Sequence, residues 1–250
     1  MKAAERQLRI RQMFATREFV DLETLRRELA ASESSVRRDL GILEHEGALR
    51  RVYGGAFAAV ANRAFDYAAE SVRLSAEKDR IGRFAAGLIE DGQTVILDGG
   101  STVAAVARAL ASRRLQIVTN SLPIAECLES QRNIELTLTG GTFDPRLRTM
   151  VGPFCEQMLS AIRADAAILG IGSISESGFS NNNTLVVGSE QKMLKVASRV
   201  IIVADHTKFG RGGMIPVAPL SAAHTVVTDS AVAPEHVAML HSNGVDVLLA

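Results

Sequence analysis

"SSVRRDLGILEHEGALRRVYGGA", residues 34–56, puts four arginines on a short helix and the ribbon that follows it. At about 100° per residue, Val36, Leu40 and Leu43 share one stripe of that helix, the spacing of a buried face. Ser34, Arg38, Gly41 and His45 lie on the opposite side, which is polar, narrow and small at Gly41. Such a helix can enter a DNA major groove, which is about 12 Å wide. Arg38 is the expected base-edge reader, because a guanidinium bonds guanine O6 and N7 together. Ser34 and Ser35, in the first turn, suit phosphate or base-edge contacts. Arg37 sits on the flank, four residues after Glu33 and near Glu44, and is open to an ion pair or a phosphate contact. Asp39 is acidic beside DNA, so it is expected to orient an arginine or cap a neighbouring helix, and His45 reads as a solvated surface residue. Gly47 is the helix stop, and Leu49 to Tyr53 form a short strand before Gly54-Gly55. Arg50 and Arg51 alternate in direction on that strand, so one of the two is expected to meet the DNA backbone, with Tyr53 counted beside them.

Upstream, a helix over about 3–15 carries apolar Leu8, Ile10, Met13 and Phe14. A second, over about 22–30, carries Leu22, Leu25 and Leu29, with Asp21 as N-cap. A four-residue turn holding Ser32 leads to the third helix, over about 33–46. Helix, turn, arginine-bearing helix and basic hairpin together make a winged helix-turn-helix, predicted over residues 1–57. The plain alternative, a solvated amphipathic helix, does not account for that conjunction. Residues 1–56 hold eleven Lys and Arg against nine Asp and Glu, an excess that favours positioned contacts over bulk attraction.

Residues 58–75 read as a linker or connecting helix, and the pattern then changes over 76–250. "TVILD", "LQIVTN", "IELTLTG", "AAILGIG", "RVIIVAD", "HTVVTD" and "VDVLLA" are short β-rich runs, most of them separated by helical stretches. That alternation predicts an α/β fold with a doubly wound, mostly parallel sheet. The whole chain has 250 residues, 47% of them apolar, and a formal net charge of zero, so any basic site must be local. Its two cysteines, Cys127 and Cys155, form neither a disulfide framework nor a zinc spacing and read as small core residues. No metal and no cofactor is expected. With no signal-peptide core and no apolar run of about 18 residues, the expected location is the cytoplasm, with no membrane partner.

A second constellation follows "TVIL". Asp98, Gly99, Gly100, Ser101 and Thr102 lie at a strand-to-helix turn, where free N–H groups, the positive helix end and two hydroxyls suit a phosphate. Thr119, Asn120 and Ser121 end the next strand, and Gly140 and Gly141 the one after. Ligands of open α/β sheets bind at the carboxyl ends of strands, so these three ends are expected to share a pocket. Lys208 can reach a phosphate or a sugar hydroxyl, or pair with Asp205. Glu190, placed at the start of a helix, serves the pocket or that helix's N-terminus. Arg146 and Arg148 in "FDPRLRTM" either close over an anion or lie in a solvated loop; "SNNNT" (180–184) lines the pocket or simply turns.

Residues 34–56 resemble the signature of DeoR-type bacterial transcriptional regulators, which pair a winged helix with a sugar-phosphate sensor, and the resemblance extends over nearly the whole chain. The sensor domain is in turn similar to ribose-5-phosphate isomerase. Gly100, Ser101 and Thr102 match that enzyme's phosphate loop; Glu190, Asp205 and Lys208 match further functional positions, with Gln191 where the enzyme has lysine. Where it carries an Asp-Gly-Ala-Asp segment, this chain has Leu169, Gly170, Ile171 and Gly172, so both carboxylates are missing. The resemblance implies a repressor that binds double-stranded operator DNA as a homodimer or tetramer and answers to a phosphorylated sugar without turning it over. An isomerase-like enzyme with a helix-turn-helix is the alternative, and a protein-binding module a weaker one.

Overall fold

The computed structural model describes residues 3–16, 19–45, 48–52, 54–58 and 67–250. The chain divides into two compact units, Met1–Ala64 and Phe65–Ala250. In the first, α1 (Ala3–Thr16), α2 (Leu22–Leu29) and α3 (Glu33–His45) accompany β1 (Phe19–Asp21), β2 (Leu49–Val52) and β3 (Gly55–Ala58). The strands form an antiparallel sheet in the order β1-β3-β2. Ile10, Phe14, Leu25, Leu29, Val36, Leu40 and Leu43 bury the facing stripes of the three helices. Asp21 caps α2 by accepting from Thr24 N at 2.8 Å, as its side chain is built to do. Leu8 does not join the core and is 57% exposed; two residues before Ile10, it points about 200° away from it on the helix. β1 was not expected, since three residues are too few to display alternation.

The second unit opens with α4 (Tyr67–Val72) and α5 (Ser75–Ala86). All seven apolar runs become strands of one sheet: β4 (Thr94–Leu97), β5 (Leu115–Thr119), β6 (Ile134–Leu138), β9 (Ala164–Leu169), β12 (Ala197–Val203), β14 (Thr225–Thr228) and β15 (Asp246–Leu249). Every pairing in that sheet is parallel. Alternate residues serve opposite faces. Val95 and Leu97 pack with α5, α6 (Ser101–Leu110) and α7 (Leu122–Leu128). Ile96 packs with α8 (Pro153–Ser160), α9 (Thr184–Val196) and α10 (Pro234–Ser242). Burial on both faces explains why the strands read as continuous apolar runs.

Two small antiparallel additions escaped sequence reading: the hairpin β7 (Thr142–Asp144) with β8 (Thr149–Val151), and the trio β10 (Ser173–Ser175), β11 (Gly178–Asn181) and β13 (Ile215–Ala218). They are three or four residues each, too short to display alternation.

The sheet order is β15-β14-β12-β9-β4-β5-β6. From β4 the chain winds outward through β5 and β6, then returns to β9 on the other side. β4 and β9 are therefore neighbours whose following segments diverge, and a crevice opens beyond their carboxyl ends.

Candidate functional site

The first candidate surface is the outward side of α3. Ser34, Arg37 and Arg38 are exposed there. Arg37 Nε bonds Glu33 Oε1 at 2.7 Å, the ion pair that one turn of helix permits. Arg38 has no hydrogen bond or ion pair among the described residues, so its guanidinium is available. Ser32 Oγ binds both Ser34 Oγ at 3.1 Å and Ser35 Oγ at 2.9 Å, gathering three hydroxyls at the start of the helix. Asp39 is buried rather than beside this surface, and it accepts from Arg6 Nε and Gln7 Nε2, locking α1 to α3. Arg51, not Arg37, is the partner of Glu44, through both its backbone N–H and its Nε at 2.8 Å. These two bonds hold the Glu44 carboxyl below its usual range. Gly47 and Tyr53, and the side chains of His45 and Arg50, lie outside the described residues.

The second candidate site is a cavity in the C-terminal unit, at the β4–β9 switch point. Asp98, Gly99, Gly100, Ser101 and Thr102 line one side of it. Gly100 adopts φ +117°, a conformation open to glycine, and this turns the chain from β4 into α6 with the first N–H groups of the helix free. Gly170, Ile171 and Gly172, after β9, line the adjacent side. Asn181, Asn183 and Glu190 add a polar wall, and Lys78, Lys208 and Glu70 a charged one. Leu147 and Thr149 reach in from the β7–β8 hairpin region.

Of the three carboxyl groups that line this space, Asp98 and Glu190 are buried. Burial pushes Asp98 up to about 7, against the Gly99 N–H, which favours the charged form. Asn120, fully buried, lies against Asp98 without a hydrogen bond of good geometry. Burial, and then the charge of Asp98, raises Glu190 well above its ordinary value. Glu190 Oε1 accepts from Asn181 Nδ2 at 2.8 Å, while its Oε2 is buried with no protein partner. Glu190 is not at a helix start: it stands in the middle of α9, whose N-cap is Asn183, accepting from Leu185 N at 3.0 Å.

The cations have an unexpected partner. Lys208 Nζ lies 3.6 Å from Glu70 Oε2 rather than pairing with Asp205. Lys78, nearly buried, donates to the Glu70 carbonyl at 2.5 Å and lies 3.5 Å from the same Oε2. Burial pulls Lys78 down, opposed by the charges of Glu70 and Asp205. Burial likewise works against a charged Glu70, but Lys208, Lys78 and Arg73 together hold it below the usual carboxylate range. Asp205 is fully buried and outside the lining; its Oδ1 caps the turn at His206–Lys208 by accepting from Thr207 N at 3.0 Å.

Of the residues expected to share one pocket, Thr119, Asn120, Ser121, Gly140 and Gly141 are not in the lining. β5 and β6 lie on the side of β4 away from β9, and their ends turn inward instead. Thr119 Oγ1 donates to Leu97 O at 2.7 Å, and a methyl on Gly141 would come within 2.7 Å of Val151 O. Gln191 donates to Val217 O. Arg148 pairs with Glu126 at 2.7 Å, and it is Leu147, between the two arginines, that lines the cavity. Asn181 and Asn183 of the asparagine run line it as well. Lys78 and Glu70 escaped sequence reading; Lys78 stands one helical turn before buried Ile81 and Gly82, a spacing that marks it as inward-facing.

Comparison with known proteins bears on both surfaces. Residues 6–60 match the DeoR-like helix-turn-helix domain, and residues 74–230 the DeoR C-terminal sensor domain. The chain is 34% identical over 222 residues to the HTH-type transcriptional repressor GlcR of Bacillus subtilis, covering 88% of this chain and 86% of that protein. It is 34% identical to the transcriptional repressor AccR of Agrobacterium fabrum, covering 90% and 89%. It is 30% identical to the glycerol-3-phosphate regulon repressor of Escherichia coli, covering 92% of each. Among solved structures, ribose 5-phosphate isomerase A of Methanocaldococcus jannaschii aligns with a TM-score of 0.40 at 17% identity over 53% of each chain, a likeness too loose for function to be read from it. Among the described residues no helix is long and apolar enough to cross a membrane, and no three His, Cys, Asp or Glu gather as a metal group.

Proposed function

The chain belongs to the DeoR family of DNA-binding transcriptional regulators, and from that premise we propose how it works. It is a repressor that binds duplex operator DNA through Ser34, Ser35, Arg37 and Arg38 on α3, with Arg50, Arg51 and Tyr53 on the following ribbon. A phosphorylated sugar bound in the C-terminal cavity changes that affinity. The helix–turn–helix occupies residues 1–57, and the sensor, expected over 76–250, is taken to begin already with α4, because Glu70 lines its cavity. The protein acts in the cytoplasm as a homodimer or tetramer, because a single small module reads too few bases for operator specificity.

One observation carries the ligand class: the free N–H groups and hydroxyls at the start of α6 share a cavity with Lys78 and Lys208. Helix-end dipole, hydroxyl donors and point charges together favour a phosphate over any neutral group. Asn181, Asn183 and Glu190 supply partners for sugar hydroxyls. A thermal-shift titration of the full chain with sugar phosphates and the same sugars unphosphorylated tests this. The phosphorylated set should stabilise the fold by mass action; equal stabilisation by neutral sugars refutes the reading.

Catalysis is a second reading because Asp98 and Glu190 are buried carboxyls with raised proton affinity, the sort of group that moves protons in enzymes. Binding without turnover is preferred because the β9 end contributes Gly170, Ile171 and Gly172 and no carboxylate. Conversion of ribose 5-phosphate by the purified full chain would reverse that preference.

A further inference from the structure

Lys78 and Lys208 converge on a single carboxylate oxygen, Glu70 Oε2, at 3.5 and 3.6 Å. Arg73 Nη1 approaches the other oxygen of the same group at 3.5 Å. All three separations exceed the about 2.7–2.9 Å of a good charge-assisted hydrogen bond. The Lys208 ammonium makes no hydrogen bond among the described residues; only its backbone N–H does, to Asp205 O at 3.0 Å. Asp205 also faces Lys78 but spends one oxygen on its own turn. Three cations therefore meet two carboxylates, and the one within reach of Lys208 fits loosely. A phosphate offers three oxygens and nearly two charges, so it can satisfy both lysines at shorter range.

Glu70 belongs to α4, a helix of six residues and the first of the C-terminal unit in the chain. So short a helix has little stability of its own, and its hold on the domain includes the Glu70 carbonyl and carboxylate at Lys78.

We infer that Glu70 is a tethered competitor for the ligand's phosphate: the carboxylate occupies the Lys78–Lys208 subsite, and a bound phosphomonoester displaces it and loosens α4. This rests on the reading of the cavity as a phosphate site. It makes ligand binding a trade of one anion for another, and it gives binding a mechanical consequence at the start of the sensor domain.

The test uses the full chain and inorganic phosphate at constant ionic strength, followed by thermal shift. Glu70→Gln keeps the shape and removes the charge; Glu70→Ser repeats the test with a smaller side chain. Both should reach a given rise in melting temperature at about tenfold lower phosphate than the wild type, as when a competing state populated about nine-tenths of the time is removed. Equal or weaker phosphate binding in both variants overturns the inference. Ser101→Asp should abolish the phosphate response in either background. If it does so while the Glu70 variants match wild type, the cavity reading stands and the competitor falls. If Ser101→Asp responds normally, or phosphate stabilises none of the proteins, both fall together. Hydrogen exchange over residues 67–73 gives a second readout: phosphate should speed it in the wild type, and protection there instead would show Glu70 retained and the inference wrong.

Discussion

At the scale of single residues, availability separates the arginines of residues 34–56 more sharply than position does. Arg37 is held by Glu33 and Arg51 by Glu44, while Arg38 is unengaged. Arg38→Ala is expected to weaken specific operator binding by about 1–3 kcal/mol and to relax preference at one base position. Binding measured on the operator and on single-base variants checks this; uniform loss on every sequence would mean that Arg38 only touches phosphate. Asp98 supports a prediction about pH. Its carboxyl titrates at about 7 in the folded chain against an ordinary 3.8. Between those values the folded state keeps a proton that the unfolded state has lost, so stability falls as pH rises through the window. Glu190 acts in the same direction. Asp98→Asn should flatten the decline, read as the difference in melting temperature between pH 5 and pH 8 in the two proteins; an unchanged slope would mean that Asp98 is charged throughout. Ser34, Arg38, Gly100 and Lys208 could be singled out from residue type and spacing alone. Glu70 could not, because an ordinary Glu on a six-residue helix carries no local mark of facing a cavity; the spacing of Lys78 before Ile81 and Gly82 marks it as inward-facing on α5 but not which cavity it meets.

At the scale of elements, the sheet's seven strands were all legible, since strands buried on both faces must be apolar along their length. β1, the β7–β8 hairpin and β10, β11 and β13 were not, because strands of three or four residues are too short to display a period. Helix ends gave mixed results: Asp21 acts as the cap expected of it, whereas α9 begins at Thr184, six residues before the glutamate taken to open it. Helix packing adds a constraint that composition does not reveal. A methyl on Gly82 of α5 would come within 2.6 Å of the Ala105 carbonyl carbon of α6. α6 carries the cavity-lining turn at its start, so this contact helps set where that turn stands. Gly82→Ala is expected to cost about 1–3 kcal/mol by forcing the two helices apart. Denaturant unfolding measures the cost, and a change below about 0.5 kcal/mol, the noise of neutral sites, would show the pair to be slack.

At the scale of the whole molecule, a chain of zero formal charge must bind DNA through a local cluster. Operator affinity should therefore fall with salt along a straight log–log line whose slope counts a handful of phosphates, losing about 0.9 per neutralised phosphate. Arg37→Ala and Arg51→Ala, if they remove phosphate contacts, should each shallow that slope by roughly one such step. A salt-independent affinity would instead favour the N-terminal unit as a protein-binding module. The ligand's effect on operator binding is bounded by its preference between the DNA-competent and DNA-incompetent arrangements, however tightly it binds.

The amino-acid sequence alone determined the local objects: the arginine-bearing helix with its apolar stripe, the strands of the parallel sheet, and a glycine turn suited to an anion. Each follows from a period or a backbone requirement confined to a few neighbouring residues. Only the tertiary structure decided which of these objects meet. Three strand ends were expected to form one pocket, yet the sheet order sets β4 beside β9, so Gly170 to Gly172 line the cavity while the ends of β5 and β6 stay behind its lining. It also brought Lys78 and Lys208, far apart in the chain, to the same oxygen of Glu70. Strand adjacency and a convergence of charges are settled by how whole layers pack against one another, and no stretch of neighbouring residues records that outcome.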